Sequence, residues 1–138
     1  MSITVYTRES EVPAGVYLAD CAVSGGSLSA YLRSALRSAG EKLCVVLCPV
    51  YMDFPLPCPT GVGTPLSAEA LKTLRGNAPC YFSQSLCTEY FTYLRDGKAH
   101  VVLFDSMKSL QAKLRAAEDA GIPMVLVPDP DLRKKLFG

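Results

Sequence analysis

Tryptophan is absent from this sequence and histidine occurs once, at position 100. A single histidine excludes a metal centre built on several imidazoles, and any Ser-His-Asp or Cys-His chemistry would have to run through His100. No G-x-S-x-G nucleophile elbow accompanies it. Charge of one sign is also scarce. The 14 basic and 13 acidic side chains sum to +1 and are interspersed, so they create no field suited to nucleic acid or to an anionic membrane surface. No apolar run approaches the roughly 18 residues of a membrane span. The opening MSITVYTRESEV has neither a basic n-region nor a long apolar h-region. The chain is therefore expected to be soluble and cytoplasmic, with no nucleic-acid or membrane partner. Gly25-Gly26 is too short for a phosphate-binding fingerprint. No cofactor and no metal are expected.

What is present suits a packed core. With 49% hydrophobic and 20% charged side chains, the 138 residues are expected to form a single domain over 1–138. The six cysteines, at 21, 44, 48, 58, 80 and 87, would suit a disulfide framework in a secreted protein. Without an export signal they read instead as buried free thiols acting as small hydrophobes. Cys44 and Cys48 lie four apart in a predicted strand, which points both to one face rather than closing a metal site.

The most informative stretch runs from Tyr90 to Val127. Asp96-Gly97 separates Tyr90-Phe91-Thr92-Tyr93-Leu94 from His100-Val101-Val102-Leu103-Phe104, and such a pair supplies the positive φ values of a tight hairpin turn. After a cap at Asp105 or Ser106, apolar residues recur at Met107, Leu110, Leu114 and Ala117, with Lys108, Lys113 and Arg115 elsewhere. This predicts an amphipathic helix. Gly121 ends it, and Ile122 to Val127 reads as a short strand buried on both faces. His100, beside a hairpin turn, reads as a partly exposed cross-strand partner. The aromatics Tyr81, Phe82, Tyr90, Phe91 and Tyr93 read mainly as core.

Upstream, Ile3 to Tyr6 is a weak strand candidate. Val16 to Val23 reads as a parallel strand buried on both faces, with Asp20 near its carboxyl end, where sheets and barrels of this class place ligand groups. Ser24 to Ser27 breaks it, and a helix follows to Ala39. Leu43 to Val50 reads as the central strand. Tyr51 to Pro65, with four prolines, predicts a long irregular loop of the kind that builds or covers a site. Tyr51, Asp53 and Phe54 at its entrance are ligand-contact candidates together with Asp20. Ser67 caps a short helix ended by Gly76-Asn77, and a terminal helix follows Pro130.

The segment from the aromatic strand through D-G and H-V-V-x-F-D to S-x-x-x-K-x-x-x-A-x-x-x-G-I resembles the end of the catalytic barrel of family 18 glycoside hydrolases. The subgroup it resembles most includes spore cortex and germination hydrolases and chitinase-like proteins. His100, Val101, Phe104, Asp105, Ser109, Gln111, Lys113, Leu114 and Gly121 carry this resemblance. A second block in the right order, Lys42 to Leu47 followed by Asp53-Phe54-Pro55-Leu56-Pro57, is similar to the family's seventh strand and its D-W-P-L-P-like continuation. By this alignment residues 16–23 would be the sixth strand. The implied fold is α/β, either a partial (β/α) barrel or a small open, mostly parallel sheet with an antiparallel hairpin insertion. A complete barrel typically needs about 250 residues.

The resemblance also implies what is missing. The family carries its acids in a D-x-x-D-x-D-x-E motif, and no such spacing occurs here; the sole D-x-D is Asp129-Pro130-Asp131, followed by Arg133. The Tyr expected before Asp20 is Ala19 or Leu18, Phe54 stands where the family has Trp after Asp53, and Leu126-Val127-Pro128 occupies the place of the eighth-strand Trp. The expectation is a non-catalytic family 18-like domain, spore-associated by the resemblance, with a role in assembly or in binding an N-acetylglucosamine-containing glycan. Two alternatives stand beside it: one subunit of a split chitin or peptidoglycan hydrolase, and an unrelated small α/β binding domain of flavodoxin-like shape. A partial barrel also leaves open edges, which predicts a homodimer through residues 16–23 or 43–50 or the sheet edge beside them.

Overall fold

The computed structural model of the chain describes residues 3–21, 23 and 26–138. Ala22, inside the strand expected over 16–23, and Ser24 and Gly25, in the loop expected to break it, lie outside the described residues. The elements in chain order are β1 (Thr4–Tyr6), β2 (Tyr17–Asp20), α1 (Leu28–Ala39), β3 (Leu43–Val46), β4 (Tyr51–Pro55), β5 (Thr64–Pro65) and α2 (Ala68–Arg75). They continue with β6 (Tyr81–Ser83), β7 (Thr88–Arg95), β8 (Lys98–Phe104), α3 (Met107–Ala120), β9 (Met124–Leu126) and α4 (Pro130–Phe137). No described helix is long and apolar enough to cross a membrane.

Two sheets divide these strands. The first is parallel, in the order β1-β9-β3-β2. Strands β2, β3 and β9 are adjacent in the sheet, with α1 between the first two and α3 leading into the third. A flavodoxin-like order would put the first strand inside the sheet, whereas β1 lies at its edge. The described sheet is open and does not close into a barrel. The second sheet is antiparallel, β5-β4-β8-β7-β6, and is threaded between β3 and α3. The expected hairpin insertion is thus a five-stranded sheet.

Local chemistry accounts for the helix ends. The Oγ atoms of Ser27 and Ser67 accept from Ala30 and Ala70 N–H at 3.3 and 3.1 Å, capping α1 and α2. Ser106 caps α3, its Oγ accepting from the Ser109 N–H at 3.2 Å, and the Ser106 N–H donates in return to Ser109 Oγ at 2.8 Å. Gly121, at φ 80, ends α3 in the left-handed conformation. Asp96 and Gly97 both have positive φ, at 51 and 76, as the two-residue turn between β7 and β8 requires.

The main core lies between the parallel sheet and its helices. Leu28 and Leu32 of α1, Leu110 and Leu114 of α3 and Leu132 of α4 pack with Leu43, Val45, Val125 and Val127 of the strands. Each such side chain, fully buried, contributes about 1.5–3 kcal/mol of apolar transfer energy. A smaller cluster of Phe91, Val102 and Phe104, with Leu71 and Leu74 of α2, joins α2 to the antiparallel sheet.

Five expectations need correction. The strand over 16–23 is shorter and lies at the sheet edge, so it is not buried on both faces: Tyr17 is 63% and Leu18 44% exposed. The segment from Tyr51 is not an irregular loop throughout. Its first five residues form β4, whose closing Pro55 stands opposite His100, while Pro65 sits in the edge strand β5, where a missing N–H is tolerated. Cys44 and Cys48 do not share a strand face, because β3 ends at Val46; Cys44 is buried and Cys48 exposed. Nor are all six thiols buried, only Cys21 and Cys44.

The fifth correction concerns Lys113. It does not lie off the buried face of α3; it is 1% exposed and its Nζ donates to Asp105 Oδ2 at 2.9 Å. The same carboxylate accepts from Ser109 Oγ at 2.6 Å and from the Val50 N–H at 2.9 Å, while the Asp105 N–H donates to the Val50 carbonyl at 3.0 Å. Both ends of the inserted sheet are therefore fastened to α3 at one point. Replacing one partner of a buried pair leaves the other charge uncompensated. Asp105→Ala is expected to lower the unfolding free energy by about 3–5 kcal/mol. Asp105→Leu combined with Lys113→Met should cost less, since only the Val50 amide then lacks its acceptor, the Ser109 hydroxyl keeping the Ser106 carbonyl at 3.1 Å. Urea denaturation checks this; equal costs for the two variants would show that the buried charge is not what matters.

Candidate functional site

Alternation along the antiparallel sheet sends neighbouring side chains to opposite faces. Asp53 and Phe54, adjacent in β4 and both expected to contact one ligand, are thereby separated. Phe54 faces a groove with Val101 and Leu103 of β8 and Tyr90 of β7, whereas Asp53 faces α2 with Tyr93 and His100. The remaining predicted residues lie elsewhere. Tyr51 packs against the Phe91 cluster, and its carbonyl accepts from the Leu66 N–H at 2.8 Å, so it braces the turn toward β5. Asp20 ends β2 at the carboxyl edge of the parallel sheet, in the position expected for a ligand group. The four predicted residues are not brought together.

The groove on the Phe54 face has two compartments. One, of about 260 Å³, extends from Phe54 and Val62 to Val23 and Val50, beyond the carboxyl ends of β2 and β3, and has Thr88 and Lys113 in its wall. The other, of about 440 Å³, is lined by Phe54, Leu56, Ser83, Leu86 and Tyr90. Only the second falls in the range of roughly 300–1,000 Å³ usual for small-molecule sites. Phe54 forms part of both walls. Its ring is held by the loop 58–63, where a Cβ at Gly63 would lie 2.8 Å from the Phe54 ring and 3.0 Å from the Asp53 carbonyl oxygen. Glycine is needed at 63 for this close approach.

Tyr90 stacks at a tilt on Tyr81, with ring centroids 5.6 Å apart, and Tyr81 is 53% exposed. The strand aromatics thus divide. Phe91 is core, as the alternating pattern suggested, but Tyr81 and Tyr90 present ring surface to the groove and to solvent. Their cross-strand pairing between β6 and β7 was the signal that could have found them.

On the opposite face Asp53 is buried and both carboxylate oxygens are engaged. Tyr93 Oη donates to Oδ2 at 2.5 Å and His100 Nδ1 lies 3.1 Å from Oδ1. The Tyr93 and His100 rings stack with centroids 4.8 Å apart. Burial, then the bond to Asp53, pushes the Tyr93 phenol up to about 12, so it stays a proton donor at neutral pH. Burial likewise pushes the Cys21 thiol up to about 12 and Cys44 to about 11, and raises Cys87. These thiols stay protonated at neutral pH and are not poised as nucleophiles.

No family model matches the chain, and no curated protein matches it. Solved structures do. The spore cortex-lytic enzyme SleL of Bacillus cereus superposes with a TM-score of 0.53 and 22% identity over 72% of this chain. SleL of Bacillus megaterium QM B1551 matches over 72% of this chain at 0.52 and 18%. The ydhD protein of Bacillus subtilis, a candidate sporulation-specific glycosylase, matches over 68% at 0.51 and 18%. The matched regions take in 24%, 24% and 33% of those chains, so this chain spans a quarter to a third of their length. The chain shares with them part of an α/β fold.

Proposed function

We propose that this chain is a family 18-like glycoside hydrolase domain, corresponding to the sixth to eighth barrel strands, that binds saccharide without hydrolysing it. The observation that carries the reading is the groove in which Phe54 and Tyr90 stand beside Leu56 and Leu86, with the Ser83 side at the rim. Aromatic faces of this kind suit the C–H face of a pyranose ring, and the few polar groups nearby suit its hydroxyls. The ligand class follows from the resemblance: a glycan containing N-acetylglucosamine. Catalysis is left out because the sequence holds no D-x-x-D-x-D-x-E spacing and the groove wall carries no pair of carboxylates among the residues that line it. Chitin oligosaccharides titrated by calorimetry are expected to bind, and Tyr90→Ala or Gly63→Ala to weaken binding by about tenfold, the loss of roughly one stacking contact. Binding unchanged in both variants would remove the groove from the reading. Turnover of chitin or peptidoglycan by pure protein, abolished in Asp53→Ala, would overturn its non-catalytic part.

The reading includes self-association. Strand β2 is an unpaired parallel edge that exposes Tyr17 and Leu18, and Val46 and Met124 on the sheet are not fully buried. Leu43, Cys44, Val45 and Leu47 are already covered within the chain, so the β2 edge is the part of the expected interface that remains available. A homodimer about this edge would sediment as a dimer at micromolar concentration, and Leu18→Lys would return it to monomer. A wild-type monomer under those conditions sinks the proposal.

A further inference from the structure

The α2-facing side of the antiparallel sheet holds a second concavity, separate from the groove. It measures about 510 Å³ and lies between α2 and strands β4, β5 and β8, within the size range of small-molecule sites. Leu66, Ala70 and Leu74 form its apolar side, and His100 and Arg95 its polar side.

The polar side is ordered by a chain of contacts. Asp53 Oδ1 faces His100 Nδ1, and a carboxylate can only accept, so Nδ1 carries a proton and Nε2 is the ring atom left for another partner. The stack on Tyr93 fixes the plane of the imidazole. Arg95 lies over the other part of this arrangement, its guanidinium carbon 5.5 Å from the Tyr93 ring centroid. Among the described residues it has no carboxylate within ion-pair distance. Asp53, the one acid in the wall, has both oxygens occupied by Tyr93 and His100. A guanidinium without an anion, next to an oriented imidazole and an apolar wall, is complementary to a compact amphipathic anion.

We propose that this cleft binds a small organic anion, a carboxylate or phosphate monoester on a flat apolar body, with Arg95 pairing the charge and His100 Nε2 completing the contact. Neutral His100 presents Nε2 as an acceptor, whereas its imidazolium donates there. Binding therefore strengthens when the imidazole is protonated. The charged or titratable groups facing it are Asp53 from β4 and Tyr93 and Arg95 from β7. Strand β5 and helix α2 contribute only Thr64, Thr73 and apolar side chains. The site is independent of the saccharide reading, because it lies on the other face of the sheet.

Benzoate and phenyl phosphate are suitable probes, added to the full isotopically labelled chain and followed by amide and imidazole NMR shifts. One of them is expected to give saturable shifts in β8 and α2. Arg95→Gln, at an exposed position that does not threaten folding, should weaken that binding about tenfold, the usual worth of a charge-assisted contact. Tighter phenyl phosphate binding assigns a phosphate ligand, and tighter benzoate binding a carboxylate. His100→Gln should weaken binding as well, because the ring atom Nε2 that completes the contact is removed. Chitin-oligosaccharide binding should be unchanged in Arg95→Gln, so failure of one reading is distinguishable from failure of the other. No saturable shift with either probe, or equal affinity in Arg95→Gln, overturns the proposal.

Discussion

Asp105 is the constraint on which the arrangement of the two sheets depends. A buried carboxylate is tolerated only when its charge and lone pairs are satisfied. Here Lys113 supplies the charge, and Ser109 and the Val50 amide supply further donors. These partners answer two structural requirements. Lys113 and Ser109 fix the phase of α3, and Val50 fixes where the chain leaves the end of β3. The parallel frame and the inserted sheet cannot rotate relative to each other without leaving part of this set unpaired. Desolvation offsets much of the attraction in a buried pair of this type, so its net contribution is smaller than the cost of breaking it.

The antiparallel sheet shows how one strand can serve two environments. Along β4 a single-residue step passes from the buried Asp53, held by Tyr93 and His100, to Phe54 in the groove wall. Glycine at 63 then lets the loop close onto the Phe54 ring. The Asp53 cluster thus stiffens the strand that presents Phe54, although the two side chains never meet. A slip of one residue in the pairing of β4 with β8 would exchange these faces, burying Phe54 under α2 and turning the carboxylate toward the groove.

Features governed by local rules were legible in the sequence. Asp96-Gly97, the serine caps at 67 and 106, and Gly121 each act within a few residues, and each stands where expected. The α/β alternation of β2, α1, β3, α3 and β9 was legible too, since each lies within a segment whose apolar pattern suggested it. What escaped depends on partners distant in the chain. The apolar run ending at Asp20 looks doubly buried, yet whether a strand lies inside a sheet is decided by what pairs beyond it. Prolines 55 and 65 argue against strands, yet strand ends and edges tolerate them. Lys113 reads as a surface charge until Asp105, Ser109 and Lys113 are seen to repeat at four-residue steps along one helical face. The candidate site was the least legible part. Adjacent positions 53 and 54 look like one site in sequence and are two in a pleated strand.

The junction at Val50 and Asp105 has a further meaning for how such a chain can change. These two residues are 55 positions apart, yet their backbones are hydrogen-bonded to each other. The excursion between them leaves and re-enters the parallel frame through one narrow doorway. The entropy of closing a loop grows only slowly with its length, so what lies beyond such a doorway can be lengthened, trimmed or exchanged at little cost to the frame. Residues 51–104 thus form a cassette, and both candidate binding surfaces ride largely on it. New specificity can arise there by swapping cargo while the strands that carry the fold stay as they are.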